Sequence, residues 1–204
     1  MLRLRVFSAS AFVAACSCVT WADSAPVEVV KKLNAGLESV LKDAPKLDYK
    51  ARYERLVPVL TEAYDFDFMA SQAVGKEWDA LSANDQRRWV KAFSELTFST
   101  YASRFDHYSG QTFTVLGEEE GAHDTVVVRS QVVDPGHDNV DLTYRLREKS
   151  GAWKVIDVYL KGSVSEIALR RSEFAAVLKR EGFEALLAGV NRKLTAIASG
   201  TPVQ

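Results

Sequence analysis

The stretch Trp153–Phe174, WKVIDVYLKGSVSEIALRRSEF, decides the fold because it changes from strand character to helix character. Its first part mixes aromatic and β-branched residues, and alternation predicts one shared face for Ile156, Val158 and Leu160. Gly162 allows the chain to turn, and Ser163 or Ser165 can cap the helix that follows. The stretch holds no catalytic motif. Its strand-to-helix character is typical of a segment that forms one wall of a pocket.

The N-terminus has the features of a secretory signal peptide over residues 1–22. Arg3 and Arg5 precede an almost uncharged apolar run, and the first acidic residue is Asp23. Small residues before position 23 suit cleavage after Ala22, and the apolar run is short for a membrane span. A retained anchor and lipoprotein processing at Cys16 are the alternatives. We expect an exported protein.

The exported chain is expected to fold as one domain, residues 23–200. The only cysteines of the full sequence, Cys16 and Cys18, lie in the predicted signal peptide, so the core of the exported domain must stabilise the fold without disulfides. The net charge of the whole chain is −1, with acidic and basic residues interspersed, which argues against a nucleic-acid partner. The basic pairs Arg170-Arg171 and Lys179-Arg180 are interpreted as a solvated helix face, with binding of anionic headgroups as the alternative.

Helical spacing of apolar residues dominates the first half of the chain, about 26–108. It predicts helices over 26–43 and 49–64, a short helix from Phe66 to Val74, and a long helix that begins at Ser82. We expect Tyr101, Phe105 and Tyr108 to lie on that long helix, either as core or as the wall of a ligand site.

After Gly110 the apolar period changes to two, which predicts four strands within about 111–161. Short turns between them favour antiparallel pairing, and two further helices are expected over about 164–198, divided at Gly182. The predicted fold class is α+β, with a four-stranded antiparallel sheet packed against a helical layer. The two apolar layers can close on each other or stay apart and hold a ligand.

No residue pattern predicts catalysis, a metal site or a cofactor. The histidines, His107, His123 and His137, lack partners at ligand spacing, and no common nucleophile or phosphate-binding motif is present. Asp157 is unusual because a carboxylate inside an apolar strand needs a partner when it is buried. We expect an ion pair with Arg145 or Lys154 rather than a general base.

The order of soft motifs along the chain resembles the toluene-tolerance family, which includes the periplasmic phospholipid carriers of the Mla lipid-asymmetry pathway. The resemblance extends over nearly the whole exported chain and rests on Phe66-x-x-Met69, Val74-Gly75-Lys76-Glu77-Trp78, Gln86, Phe93, Leu96, Tyr101, Tyr108-Ser109-Gly110, Trp153–Val158, Gly162, Arg171-x-x-Phe174 and Gly182-Phe183-x-x-Leu186. The turn Lys161–Glu166 is one residue longer than is typical of the phospholipid carriers and is more similar to the hopanoid-associated branch.

The resemblance implies a soluble shuttle, not an enzyme, that exchanges phospholipid or another membrane lipid between an inner-membrane ABC transporter complex and an outer-membrane lipid complex. Such a carrier needs a lipid-sized apolar cavity, because exposing acyl chains to water costs roughly 0.8 kcal/mol per methylene. From alternation and helical facing we place that cavity between the sheet and the helices. The predicted lipid-binding residues are Met69, Phe93, Leu96, Tyr101, Phe105, Val128, Leu142, Tyr144 and Val158.

Three other functions remain open at this point. The first is a hopanoid carrier of the same family. The second is an exported enzyme, which would need a catalytic cluster around Asp157 and a histidine. The third is a structural envelope protein with a filled core and no lipid cargo.

Overall fold

The structure is a computed structural model that describes residues 24–200. The predicted signal peptide, with the alternative processing site at Cys16, lies outside these residues. The described chain is an α+β fold, and its helices in chain order are α1 (Ala25–Asp43), α2 (Tyr49–Ala63), α3 (Phe66–Val74), α4 (Ala83–Arg104), α5 (Glu166–Glu181) and α6 (Phe183–Ala198). Within residues 24–200, no helix has the length and apolar character needed to cross a membrane.

Side-chain caps set the starts of α1 to α5, whereas α6 begins after Gly182 without one. The Ser82 hydroxyl accepts a hydrogen bond from the Asp85 backbone N–H at 3.1 Å, which confirms the predicted start of α4. The other end differs from the prediction. Phe105 leaves helical geometry with φ −95° and ψ 51°, so α4 ends at Arg104 and Tyr108 lies beyond the helix.

The sheet has five antiparallel strands rather than the predicted four. They are β1 (Thr112–Gly121), β2 (Thr125–Val133), β3 (Val140–Lys149), β4 (Ala152–Leu160) and β5 (Val164–Ser165), and their spatial order follows the sequence. Val164 and Ser165 pair with the end of β4, so α5 begins at Glu166 and not at about 164. A two-residue strand is too short to show an alternating pattern, which is why the sequence does not reveal it.

A β-bulge changes which residues of β4 face the core. Arg145 pairs with Asp157 and Leu146 pairs with Val155, so Ile156 is an extra residue between two paired positions. Val155 and Val158 consequently join the core cluster, whereas Ile156 lines a separate cleft with Asp157. The predicted common face of Ile156, Val158 and Leu160 is therefore wrong for Ile156.

One core joins the apolar face of the sheet to the helices. α1, α3 and α5 contact the strands, and α2, α4 and α6 pack against those helices. Val128, Tyr144 and Leu146 are fully buried on the sheet side of this core. The core also contains a polar link, since the buried Asn34 side chain donates to the Ser130 hydroxyl at 2.9 Å. This link fixes α1 on β2 without leaving either group unsatisfied.

Candidate functional site

A mainly apolar cavity of about 320 Å³ lies between the sheet and the helices. It is at the end of the sheet where β2 and β4 finish and β3 begins. Side chains of α1, α3, α4 and α5 close the other sides. The volume is at the low end of the range of about 300–1,000 Å³ that small-molecule pockets take. The cavity is therefore large enough to admit part of an apolar ligand.

The strand spacing of two residues and the helix spacing of four place the wall residues on the cavity side of their elements. On β3, Val140 and Leu142 are two residues apart, so both face the helices. On α4, Phe93, Thr97 and Tyr101 recur every four residues and form one stripe along the opposite wall. The cavity thus has a strand wall of branched aliphatic side chains and a helix wall rich in aromatic ones.

Two tyrosine hydroxyls meet at the cavity. Tyr64 Oη and Tyr101 Oη are 2.7 Å apart, which is a hydrogen bond between the end of α2 and the last turn of α4. Burial raises the pKa of both phenols, that of Tyr64 well above its ordinary value, so both hydroxyls stay protonated. Since one hydroxyl donates within the pair, the other keeps an O–H that can donate to a ligand.

Charged side chains form the mouth of the cavity. Arg104, Glu166 and Arg170 line both the cavity and an open groove of about 460 Å³ between α4, α5 and α6. The Arg170 side chain is 17% exposed, and its Nε lies 3.9 Å from the nearest Glu166 oxygen. Its guanidinium carbon is 5.7 Å from the centre of the Phe93 ring. Burial lowers the pKa of Arg170, but an arginine remains charged in a protein.

The structure brings six of the nine predicted lipid-binding residues to the cavity wall: Met69, Phe93, Tyr101, Phe105, Leu142 and Val158. Leu96 lines the neighbouring groove instead. Val128 and Tyr144 are fully buried in the core, outside the cavity lining. Alternation places both side chains on the correct face of the sheet, but it does not show whether a residue on that face borders the cavity or the filled core. Lipid contact by any of the nine stays a prediction.

The sequence analysis does not identify the charged residues of the site, Arg104, Glu166 and Arg170. Arg170 was interpreted as part of a solvated helix face, which is wrong because its side chain is largely buried. The signal was present in the spacing: Arg170 follows Ile167 by three residues and precedes Phe174 by four, and both of those are buried. A charged residue on the buried stripe of a helix indicates a site more often than a residue on the exposed face does.

Asp157 has a structural role that differs from the predicted ion pair. Its carboxylate accepts hydrogen bonds from the Ser165 hydroxyl at 2.6 Å and from the Ile167 backbone N–H at 3.2 Å. Arg145 donates to Thr125 and Ala122, and Lys154 donates to the Glu62 carbonyl. Asp157 therefore holds the first turn of α5, the helix that carries Arg170. Across residues 24–200, no three His, Cys, Asp or Glu side chains are grouped to hold a metal ion.

The comparisons of the sequence with a family model and with a curated protein both match MlaC proteins. The model of the MlaC protein family matches residues 31–192. The intermembrane phospholipid transport system binding protein MlaC of Haemophilus influenzae is 26% identical over 127 residues, which are 60% of this chain and 59% of that protein. The chain thus aligns with about three-fifths of the length of that curated relative.

A solved structure has the same fold. It is the phospholipid-binding protein from Ralstonia solanacearum, determined in complex with a phospholipid. The TM-score is 0.72 at 24% sequence identity, and the match covers 85% of this chain and 97% of the solved one. At this identity the likeness shows a shared α+β fold.

Proposed function

This chain belongs to the MlaC protein family, and from that premise we propose that it is a periplasmic phospholipid carrier. The carrier domain is residues 23–200, and the segment before it is the export signal. The acyl part of the cargo lies in the apolar cavity between the sheet and α4. That cavity is the observation that carries the proposal.

The chemistry of the cavity suits acyl chains. Each methylene that leaves water for an apolar surrounding gains roughly 0.8 kcal/mol, so a carrier of lipid needs an apolar wall and few polar groups. The wall supplies Met69, Phe93, Leu142 and Val158, and the charged residues of the lining are the ones at the mouth. A lipid seated there would keep its chains dry and its headgroup near the solvent.

The groove beside the mouth supplies the remaining space. A two-chain phospholipid is larger than the ligands that fill pockets of a few hundred Å³. We therefore place the ends of the chains in the cavity and the glycerol and headgroup in the groove between α4, α5 and α6. The residues shared by the two spaces make them neighbours.

The proposed partners follow from the family. We propose that the chain exchanges its lipid with an inner-membrane ABC transporter complex and an outer-membrane lipid complex. The printed name of the Haemophilus influenzae relative, an intermembrane phospholipid transport system binding protein, supports this assignment. The sequence carries no nucleotide-binding motif. Energy would accordingly come from the partner transporter.

A vesicle transfer assay tests the carrier function. Donor vesicles contain a fluorescent phospholipid whose emission is quenched, and acceptor vesicles contain none. The protein is expected to raise the rate of dequenching in proportion to its concentration, because each molecule moves lipid through water. A rate equal to that of vesicles without protein would contradict the proposal.

A further inference from the structure

Arg170 is a largely buried cation that has no hydrogen-bond acceptor within residues 24–200. Among the residues that the structure describes, its nearest carboxylate oxygen, on Glu166, is 3.9 Å away, which is beyond hydrogen-bond range. The face of Phe93 compensates part of the charge at 5.7 Å. The N–H groups of the guanidinium thus remain available at the boundary between the cavity and the groove.

Other arginines of this protein with restricted exposure are bonded. Arg52 donates to the carbonyls of Ala102 and Leu47, at 2.9 and 2.7 Å. Arg147 donates through Nη2 to the buried Asp65 at 2.7 Å, although its Nε has no partner among the described residues. Arg170 differs because, within residues 24–200, none of its guanidinium N–H groups has a protein acceptor, so these groups can bond to a ligand at the mouth of the cavity.

A second arginine stands at the same boundary. Arg104, at the end of α4, is exposed and also lines both the cavity and the groove. Within the groove, Lys193 is paired with Glu173, which leaves Arg104, Arg170 and Glu166 with one net positive charge. A phosphodiester carries one negative charge and two unesterified oxygens, and the planar guanidinium fork matches such oxygens.

We propose that Arg170, together with Arg104, binds the phosphate group of a lipid whose acyl chains lie in the apolar cavity. This inference rests on the proposed carrier function and assigns the site of its headgroup. Glu166 keeps Arg170 at the mouth in the unloaded protein without occupying its hydrogen bonds. Arg170 and Arg104 therefore favour lipids that carry a phosphate over uncharged lipids with the same chains.

Calorimetric titration of lipid-depleted protein with matched ligands tests the inference. The probes are dihexanoylphosphatidylglycerol, dihexanoylglycerol and inorganic phosphate. We expect the phospholipid to bind about tenfold or more tightly than the diacylglycerol, as a charge-assisted hydrogen bond predicts. Arg170→Gln and Arg104→Gln should remove most of this preference. Arg180→Gln, the same change at an exposed position of α5, should retain it.

The outcomes separate this inference from the carrier function. If both lipids bind the wild-type protein equally, or if Arg170→Gln and Arg104→Gln keep the preference, the headgroup site is refuted while lipid binding stands. Inorganic phosphate binding as tightly as the phospholipid would show a free-phosphate site instead. If neither lipid binds, both proposals fail. Arg104→Gln changes an exposed side chain, so it still decides the question if Arg170→Gln does not fold.

Discussion

At the residue scale, Leu142 connects the strand pattern to the size of the cavity. It is half-buried on β3 and faces the stripe of α4 residues across the cavity. Because the space beside it is empty, a larger side chain can enter without pushing on the core. A single substitution at this position can therefore occupy part of the cavity.

Leu142→Trp is expected to reduce lipid occupancy by about tenfold, since overpacking a bound state typically costs 1–3 kcal/mol. The free energy of unfolding should change little. Lipid content per protein, measured by mass spectrometry of organic extracts, checks the prediction. Leu116→Trp is the matched control, because Leu116 is an exposed position on β1. Equal lipid content in the two variants would refute the position assigned to the cargo.

Asp65 fixes the start of α3 to the sheet. Its side chain is fully buried and accepts from Arg147 Nη2 and Lys149 Nζ, each at 2.7 Å. It also caps α3, because its Oδ1 accepts from the Phe68 N–H. Burial alone would raise the pKa of Asp65, but the bonds from Lys149 and Arg147 outweigh burial and hold the pKa below its ordinary value.

Asp65→Asn should lower the free energy of unfolding at pH 7 by about 2 kcal/mol, because two cations lose their partner. The folded-state pKa is lowered, so this contribution is complete above the unfolded value of about 3.9. It is lost as the pH falls from there through the folded-state pKa. Urea denaturation of both proteins from pH 7 to pH 2.5 should show the difference shrinking below about pH 4.

Asp67→Asn is the control for this prediction. Asp67 is three-quarters exposed and also contacts Lys149, at 3.2 Å. Exposed ion pairs contribute about 0–1 kcal/mol, so its loss should cost far less. If both variants cost the same, or if the Asp65→Asn difference is independent of pH, the buried ion pair is not what stabilises this junction.

At the element scale, the end of β4 positions α5. Ser165 donates to Asp157 and accepts from the Ala168 N–H at 2.9 Å, so one hydroxyl links strand and helix. The helix it caps carries Glu166, Ile167 and Arg170 to the cavity. The mouth residues therefore depend on a contact that lies outside the cavity.

Ser165→Ala is expected to cost about 1 kcal/mol of stability, the usual effect of losing an N-cap. Amide hydrogen exchange of Ile167 and Ala168 should accelerate more than exchange in α1 or α4. Ser163→Ala, at an exposed position of the preceding turn, is the control. Unchanged exchange in the first turn of α5 would contradict the role given to the cap.

Elements with local signals are predicted well from this sequence, and elements that depend on pairing are not. The start of α4 is encoded by Ser82 and the residues just after it, so it is confirmed. The bulge at Ile156 depends on how β3 and β4 align, which alternation within one strand does not contain. β5 exists only because β4 offers an edge to pair with.

At the scale of the whole molecule, the sequence predicts which residues face the layer between sheet and helices. It does not predict which part of that layer is packed with side chains and which part is open as the cavity. Tyr144 and Leu142 alternate on the same face of β3, yet Tyr144 is core and Leu142 is cavity wall. The two residues differ in their neighbours: the Tyr144 hydroxyl donates to Asn34 Oδ1 of α1 at 3.4 Å, whereas Leu142 borders the open space of the cavity.

Mass spectrometry of the lipid that co-purifies with the protein shows whether the cavity carries a phospholipid. The protein is exported to the periplasm of its host, purified without detergent and extracted with organic solvent. We expect about one phospholipid for each folded protein molecule. An extract without lipid from folded protein, or one that contains only lipids lacking phosphate, would contradict it.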